Sequence, residues 1–381
     1  MQKNKFLVQC PACEGSKKVK NVKTIIQIGK FYLGKEIMEA CLKVLSKIQK
    51  KVGGYSLNYN HIEAGAEYYQ RTGVDITESD FIACGKADAI LFGAMGLPEI
   101  FFEDGTEIAP HLRLREAYGL YAGVRPVKAF PNTPKMLSDD RAKNIDFVIL
   151  RESTEGMFAS RGRGEVVDDS IARDTMEITR ETSERLFDFA FSLARKRKAK
   201  GSKGEVTCVD KSNVFRSFAF FRKIFEEKAA CNVDILSSHN YVDAQALYLV
   251  QRPWDFDVLV MENLLADILS DLGGGLVGGM GMAPCAEIGL QHALFQPAHG
   301  SAPSIVGKDE ANPTAMFLSA AMMLDWLAER KSNHFLLASA HILYQAIEEG
   351  FRSFRVQPRE FGGPHGLTQH VNEIINIIDE I

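Results

Sequence analysis

Asp257-Val-Leu-Val-Met-Glu-Asn-Leu-Leu-Ala-Asp-Ile-Leu-Ser-Asp271 changes its period halfway along. Asp257–Met261 is a compact apolar run of strand length, and the residues from Glu262 onward open a helix. The same strand-then-helix unit recurs to either side. Thr24–Ile28, Asp88–Phe92, Asp146–Leu150 and Glu205–Val209 read as further strands. Lys35–Lys50 places Ile37, Cys41, Leu45 and Ile48 on one helical face, and Ala244–Val250 reads as a short helix. Ser170–Arg197 reads as one long helix carrying Ile178, Leu186, Phe189, Phe191 and Leu193 and ending in Arg195–Lys198 before Gly201. A basic run there complements the helix C-terminus, so nucleic-acid binding is the weaker explanation. Strands alternating with helices predict an α/β architecture with a mostly parallel sheet. No repeat, low-complexity segment or Pro- and Ser-rich linker interrupts the chain, so its domains are expected to interleave.

Composition narrows the class. The 381 residues are 46% hydrophobic and 25% charged, the balance of a globular protein with a large core. With 45 Lys and Arg against 49 Asp and Glu, the net charge of -4 argues against a nucleic-acid partner. The longest apolar candidate, Thr314–Ala328, is interrupted by Ser319 and Asp325 and reads as a buried helix rather than a membrane span. Met1–Lys23 is Lys-rich with no apolar block after it, so no secretory signal is expected. Seven scattered cysteines suit a reducing compartment, and a cytoplasmic protein is expected. Cys10 and Cys13 have half-site spacing but no completing ligands, so residues 1–22 read as a flexible tail.

Chemistry concentrates at the strand ends. Asp267 and Asp271 are four apart on one helix and therefore share a face. Two like charges so placed repel unless a cation lies between them, and hard oxygen ligands suit Mg²⁺ or Mn²⁺. An acidic solvated face is the plainer alternative, but Ile268 and Leu269 leave it only a short stripe. Asp243 offers a third carboxylate, and Asp210-Lys211-Ser212-Asn213 follows a strand, where α/β sheets place ligand-binding groups. Arg115, Arg125 and Arg151 punctuate apolar surroundings and suit bidentate carboxylate recognition, although a single arginine is more often a surface ion-pair partner. Three carboxylates, one lysine and three arginines suit a substrate with two carboxylates and a chelating hydroxyl. The loop His299-Gly300-Ser301-Ala302-Pro303, with Asn312, can approach a phosphate or ribose closely. No GxGxxG follows an early strand, so the Rossmann fingerprint is absent.

These segments together resemble the β-decarboxylating dehydrogenases, the family of isopropylmalate, isocitrate, homoisocitrate and tartrate dehydrogenases. The likeness rests on Leu114-Arg115 through Gly123-Val-Arg125-Pro126, Arg151-Glu-Ser-Thr-Glu-Gly156 and Val209-Asp-Lys-Ser-Asn-Val214. Tyr241-Val-Asp-Ala244, Asp267-Ile-Leu-Ser-Asp271 and His299-Gly-Ser-Ala-Pro303 complete it in the family's order. The resemblance implies a non-Rossmann α/β fold of two interleaved domains around a cleft. One domain would hold residues 23–120 and 278–381 and bind cofactor; the other, 121–277, would bind substrate and carry dimer contacts. A homodimer or higher oligomer is implied, with Lys211 and Asp243 of one subunit completing the other's site. The implied reaction is oxidation of a hydroxy acid at C2, hydride passing to NAD or NADP, then loss of CO₂. In it Asp243, Asp267 and Asp271 would hold Mg²⁺ or Mn²⁺, and Lys211 would assist removal of the hydroxyl proton. Arg115, Arg125 and Arg151 would clamp the leaving carboxylate. His299, Gly300, Ser301, Ala302, Ser304, Ile305 and Asn312 would hold the adenosine half of the cofactor.

Four positions depart from the family pattern. Phe31 and Tyr32 are bulky in an early loop near the cofactor. Ser304 stands where an acidic residue usually selects NAD, and Gln296 stands where many members carry Glu. Phe158 replaces the Tyr that reprotonates the enolate, a change expected to slow turnover by ~10²–10⁴ unless water substitutes. Substrate choice is expected from His111 and Leu112, one turn before Arg115. Leu112 suits an isopropyl group and His111 a polar one. The expected substrate is 3-isopropylmalate, with isocitrate, homoisocitrate, tartrate and D-malate as alternatives. A catalytically impaired regulatory relative is the rival from another class.

Overall fold

The computed structural model describes residues 25–28, 32–97 and 99–381. The tail 1–22 with Cys10 and Cys13, and the Phe31 and Tyr32 side chains, lie outside the described residues. The strands are Ile25–Ile28 (β1), Tyr59–Ile62 (β2), Ala89–Phe92 (β3), Ala122–Lys128 (β4), Asp146–Glu152 (β5), Glu165–Val167 (β6), Ile171–Arg173 (β7), Glu205–Asp210 (β8), Leu236–Tyr241 (β9), Val258–Met261 (β10), Pro284–Ile288 (β11) and Ala293–Pro297 (β12). The helices are Tyr32–Val52 (α1), Ala66–Thr72 (α2), Glu78–Lys86 (α3), Pro110–Ala117 (α4), Arg180–Ala199 (α5), Arg216–Cys231 (α6), Val242–Gln251 (α7), Asn263–Leu276 (α8), Thr314–Lys331 (α9), His334–Arg352 (α10) and Leu367–Glu380 (α11).

Ten strands form one sheet in the order β2-β1-β3-β12-β11-β4-β5-β10-β8-β9. All neighbours are parallel except around β4 and β11, where the ladders β12–β11, β11–β4 and β4–β5 are antiparallel. The mostly parallel expectation therefore holds. Its sequence signature is explained by helices on both faces: Ile149, Leu150, Val258, Leu259, Val260 and Met261 are all buried, which gives continuous apolar runs instead of alternation. Helix α5 packs on β5, β8 and β10, while α9 packs on β3, β11 and β12. The C-terminal β12 pairs directly with the N-terminal β3, so the two ends of the chain build one half of the sheet. Helix α9 is buried along most of its length, as its sequence predicts. No helix of the described residues is long and apolar enough to cross a membrane.

One prediction needs correction. The long helix expected over Ser170–Arg197 starts only at Arg180. Thr179 ends the preceding segment by accepting a hydrogen bond on its side chain from the Thr182 amide. The Glu155 carboxylate accepts from the Thr179 amide, the Thr179 hydroxyl and the Thr182 hydroxyl, fixing the helix start from another element. Before it, β6 and β7 pair as a small antiparallel arm whose turn puts Asp168 and Asp169 at positive φ. Aspartate tolerates that backbone better than most residues, so the turn competes successfully with a longer helix.

Candidate active site

The sheet register brings three site positions into one row. Glu287 on β11 lies opposite Gly123 on β4, and Gly123 lies opposite Arg151 on β5. Residues opposite one another share a face, and Arg125, two residues after Gly123, shares it too. From α4, Arg115 reaches the same place and contacts the Glu287 carboxylate at 2.7 Å; Arg125 lies 3.6 Å from it. All three arginines and Glu287 are buried. The predicted arginines therefore converge on one point.

Their charges are strongly coupled. Burial pushes the Glu287 carboxyl up, but Arg115, Arg125 and Arg151 outweigh that and leave it below its ordinary value, so it stays ionised. Burial and the neighbouring Arg125 and Arg115 pull the Arg151 guanidinium down to about 10. Arg151 is nevertheless firmly held: its Nε donates to Asn263 Oδ1 at 2.8 Å, and its Nη1 donates to Asp267. Asn263 in turn donates to the Glu155 carbonyl at 3.0 Å. The Phe158 ring lies 4.9 Å from the Arg151 guanidinium, so the departure from Tyr falls inside this cluster. His111, one turn before Arg115, is held neutral by burial and by Arg115 and Arg151, and its Nδ1 is buried without a partner. Leu112 beside it is half-buried.

Asp267 and Asp271 stand one turn apart on α8. Its N-terminus is capped by Glu262, which accepts from the amides of Leu264 and Leu265. Burial pushes the Asp271 carboxyl up; Arg125 and Arg151 oppose that shift, and Asp267 reinforces it. Two hard carboxylates so placed fit a divalent cation. The third expected ligand is elsewhere: Asp243, in the first turn of α7, pairs with Lys211 Nζ at 2.8 Å. Among the described residues no three His, Cys, Asp or Glu gather as one chain's metal site. A single copy thus assembles the arginines and two carboxylates, but not Lys211 and Asp243 with them.

A second pocket, of about 540 Å³, is lined by His299, Gly300, Ala302, Ile305 and Asn312 together with Leu33, Gly281, Glu310, Arg359 and Glu360. Five of the seven expected cofactor residues line it. Ser301 is buried and bonded to the Gly96 carbonyl, while Ser304 is exposed and outside the lining. Sequence reasoning missed Glu360, which accepts from Asn312 Nδ2 at 2.8 Å and the Gly281 amide at 3.1 Å. It also missed Asn263 and Glu287. A usable signal existed for Glu287, because one charge in the apolar strand Pro284-Cys-Ala-Glu-Ile288 is costly unless paired.

The model of the family described as isocitrate/isopropylmalate dehydrogenase matches residues 24–375. A 3-isopropylmalate/3-methylmalate dehydrogenase of Methanocaldococcus jannaschii is 43% identical over 78% of this chain and 84% of its own. A 3-isopropylmalate dehydrogenase of Aquifex aeolicus is 37% identical over 84% and 88% respectively. The crystal structure of an isocitrate dehydrogenase from Methylococcus capsulatus superposes with a TM-score of 0.82 at 31% identity, covering 93% of this chain and 99% of that one.

Proposed function

The chain belongs to the isocitrate/isopropylmalate dehydrogenase family, and we propose that it oxidises and decarboxylates a 3-substituted malate, 3-isopropylmalate foremost. The observation that carries this reading is the convergence of Arg115, Arg125 and Arg151 beside Asp267 and Asp271. The relatives named for 3-isopropylmalate support the substrate. Residues 23–120 with 278–381 form the proposed cofactor domain and 121–277 the substrate domain; the pairing of β12 with β3 supports that division.

In this reading the arginines bind the carboxylate that leaves as CO₂ and orient the hydroxyl-bearing carbon towards the pocket around His299 and Asn312. Lys211 of a second copy assists removal of the hydroxyl proton, and Asp243 of that copy would join Asp267 and Asp271 as a ligand. A divalent cation held by these carboxylates would supply Lewis acidity, and NAD or NADP in the pocket around His299 and Asn312 would supply the hydride acceptor. Phe158 holds no proton to give, so protonation of the resulting carbanion falls to water. Neutral His111, whose Nδ1 is buried without a partner, favours a second reading, in which the C3 substituent carries a polar group that hydrogen-bonds to it.

The test is reduced-nicotinamide absorbance with Mn²⁺, NAD and NADP supplied separately, against 3-isopropylmalate, isocitrate, homoisocitrate, tartrate and D-malate. Turnover of 3-isopropylmalate, abolished in Asp267→Asn, is the expected result. Preference for tartrate or isocitrate would favour the polar reading. Silence across the panel from folded protein would leave the non-catalytic relative as the better account.

A further inference from the structure

Glu287 plays no part in binding or chemistry so far, yet it sits at the centre of the arginine cluster. Its Oε1 lies 2.7 Å from Arg115 and 3.6 Å from Arg125, and also accepts from Cys285 Sγ at 3.3 Å. Its carboxylate also takes a hydrogen bond from the Ser153 side chain, while Arg115 Nε and Arg125 Nε are buried with no partner. Two buried guanidinium groups with open donors beside a buried carboxylate form an incomplete network.

The backbone makes room for this arrangement. A Cβ on Gly123 would stand 2.9 Å from Glu287 Oε2, 2.6 Å from Ser153 Oγ and 3.1 Å from Arg151 Cβ. Only glycine leaves the carboxylate this position between β11 and β5. The strand therefore places a negative charge within the group of arginines that would hold the substrate's carboxylate.

We propose that Glu287 is an internal counter-anion: its carboxylate stands against Arg115 and Arg125 and cancels one of the cluster's three positive charges. The inference rests on the arginine cluster being the carboxylate site proposed above. An anion bound by Arg115 and Arg125 lies close to Glu287, and like charges at such a separation in a buried site repel substantially. The carboxylate thus limits how tightly a dicarboxylate is held, which favours release.

Calorimetric binding of malonate, without added metal or nucleotide, tests this by sign. Glu287→Gln keeps the shape and removes the charge, so malonate should bind about tenfold tighter or more. Glu287→Asp keeps the charge and should stay within about threefold of the parent. A purely structural role predicts the opposite for Glu287→Gln, since disordered arginines bind more weakly; unchanged or weaker binding overturns the proposal and leaves the cluster as the carboxylate site. If the parent itself binds no malonate, the cluster reading fails and this inference with it. Should Glu287→Gln not fold, Arg115→Gln is compared with Arg115→Gln/Glu287→Gln. The second substitution should regain about tenfold of the lost affinity, and no regain overturns the proposal.

Discussion

Phe158 and Arg151 show how much a single side chain decides at this site. The guanidinium rests over the Phe158 ring while bonding Asn263 and Asp267, so ring and charge hold each other in place. Phe158→Tyr keeps that contact and adds a proton donor. It should raise kcat at least tenfold, given the ~10²–10⁴ a positioned general acid typically contributes. An unchanged kcat at all pH values would show that carbanion protonation does not limit turnover. Arg151→Lys should have the reverse effect, because an ammonium cannot bridge Asn263 and Asp267 with the geometry of a guanidinium. A loss of about 10²-fold or more in kcat/KM, with Tm little changed, is the expected steady-state result. Asp267→Asn should abolish turnover and any rise of Tm on adding Mn²⁺; retention of that rise would remove Asp267 from the proposed cation site.

Among the elements, α5 is where local signals misled. Its apolar residues continue a helical pattern back through Ile178, but Thr179 caps the helix and Glu155 holds that cap from across the site. Periodicity reports which residues are apolar and says nothing of a carboxylate arriving from the loop after β5. Thr179→Ala removes the cap and one of the Glu155 partners, so stability should fall by about 1–2 kcal/mol in urea denaturation. Thr179→Ser, which retains the hydroxyl, should recover most of the loss. Helix α11 supplies a pH dependence. Burial, with His365 contributing, pulls the His370 imidazole down to about 3 from its ordinary 6.5. Between those values the unfolded chain takes up a proton that the folded chain refuses. Stability therefore rises with pH and is lost as pH falls from 6.5 towards 3, by about 2 kcal/mol at pH 5. His370→Gln should flatten the Tm profile between pH 7 and 5; an identical slope would mean that other groups carry it.

At the scale of the whole molecule, one copy leaves Lys211 and Asp243 paired with each other, away from Asp267 and Asp271. Val214 and Phe215 follow Lys211, Leu247 lies one turn after Asp243 on α7 and Ile268 follows Asp267 on α8, and all four are exposed. Apolar surface of that extent beside an incomplete site is what a second copy would cover. Sedimentation should give a dimer or larger assembly of 42.3 kDa chains. Mixing Lys211→Ala with Asp267→Asn chains should restore part of the activity that each lacks, since one site of the mixed dimer is intact. Full activity from a monomer would overturn the shared site.

The sequence alone determined the α/β class, the strand–helix alternation and the site motifs, because burial of strands on both faces and the spacing of Asp267 and Asp271 are local properties written in residue order. It also located Arg115, Arg125 and Arg151 as candidates. Their convergence was decided by tertiary structure, through the antiparallel register that sets Glu287, Gly123 and Arg151 in one row. So were the true start of α5 and the contacts of Glu287, Asn263 and Glu360. Each depends on a contact between residues dozens to more than a hundred positions apart, and no local pattern encodes which distant charge will face which.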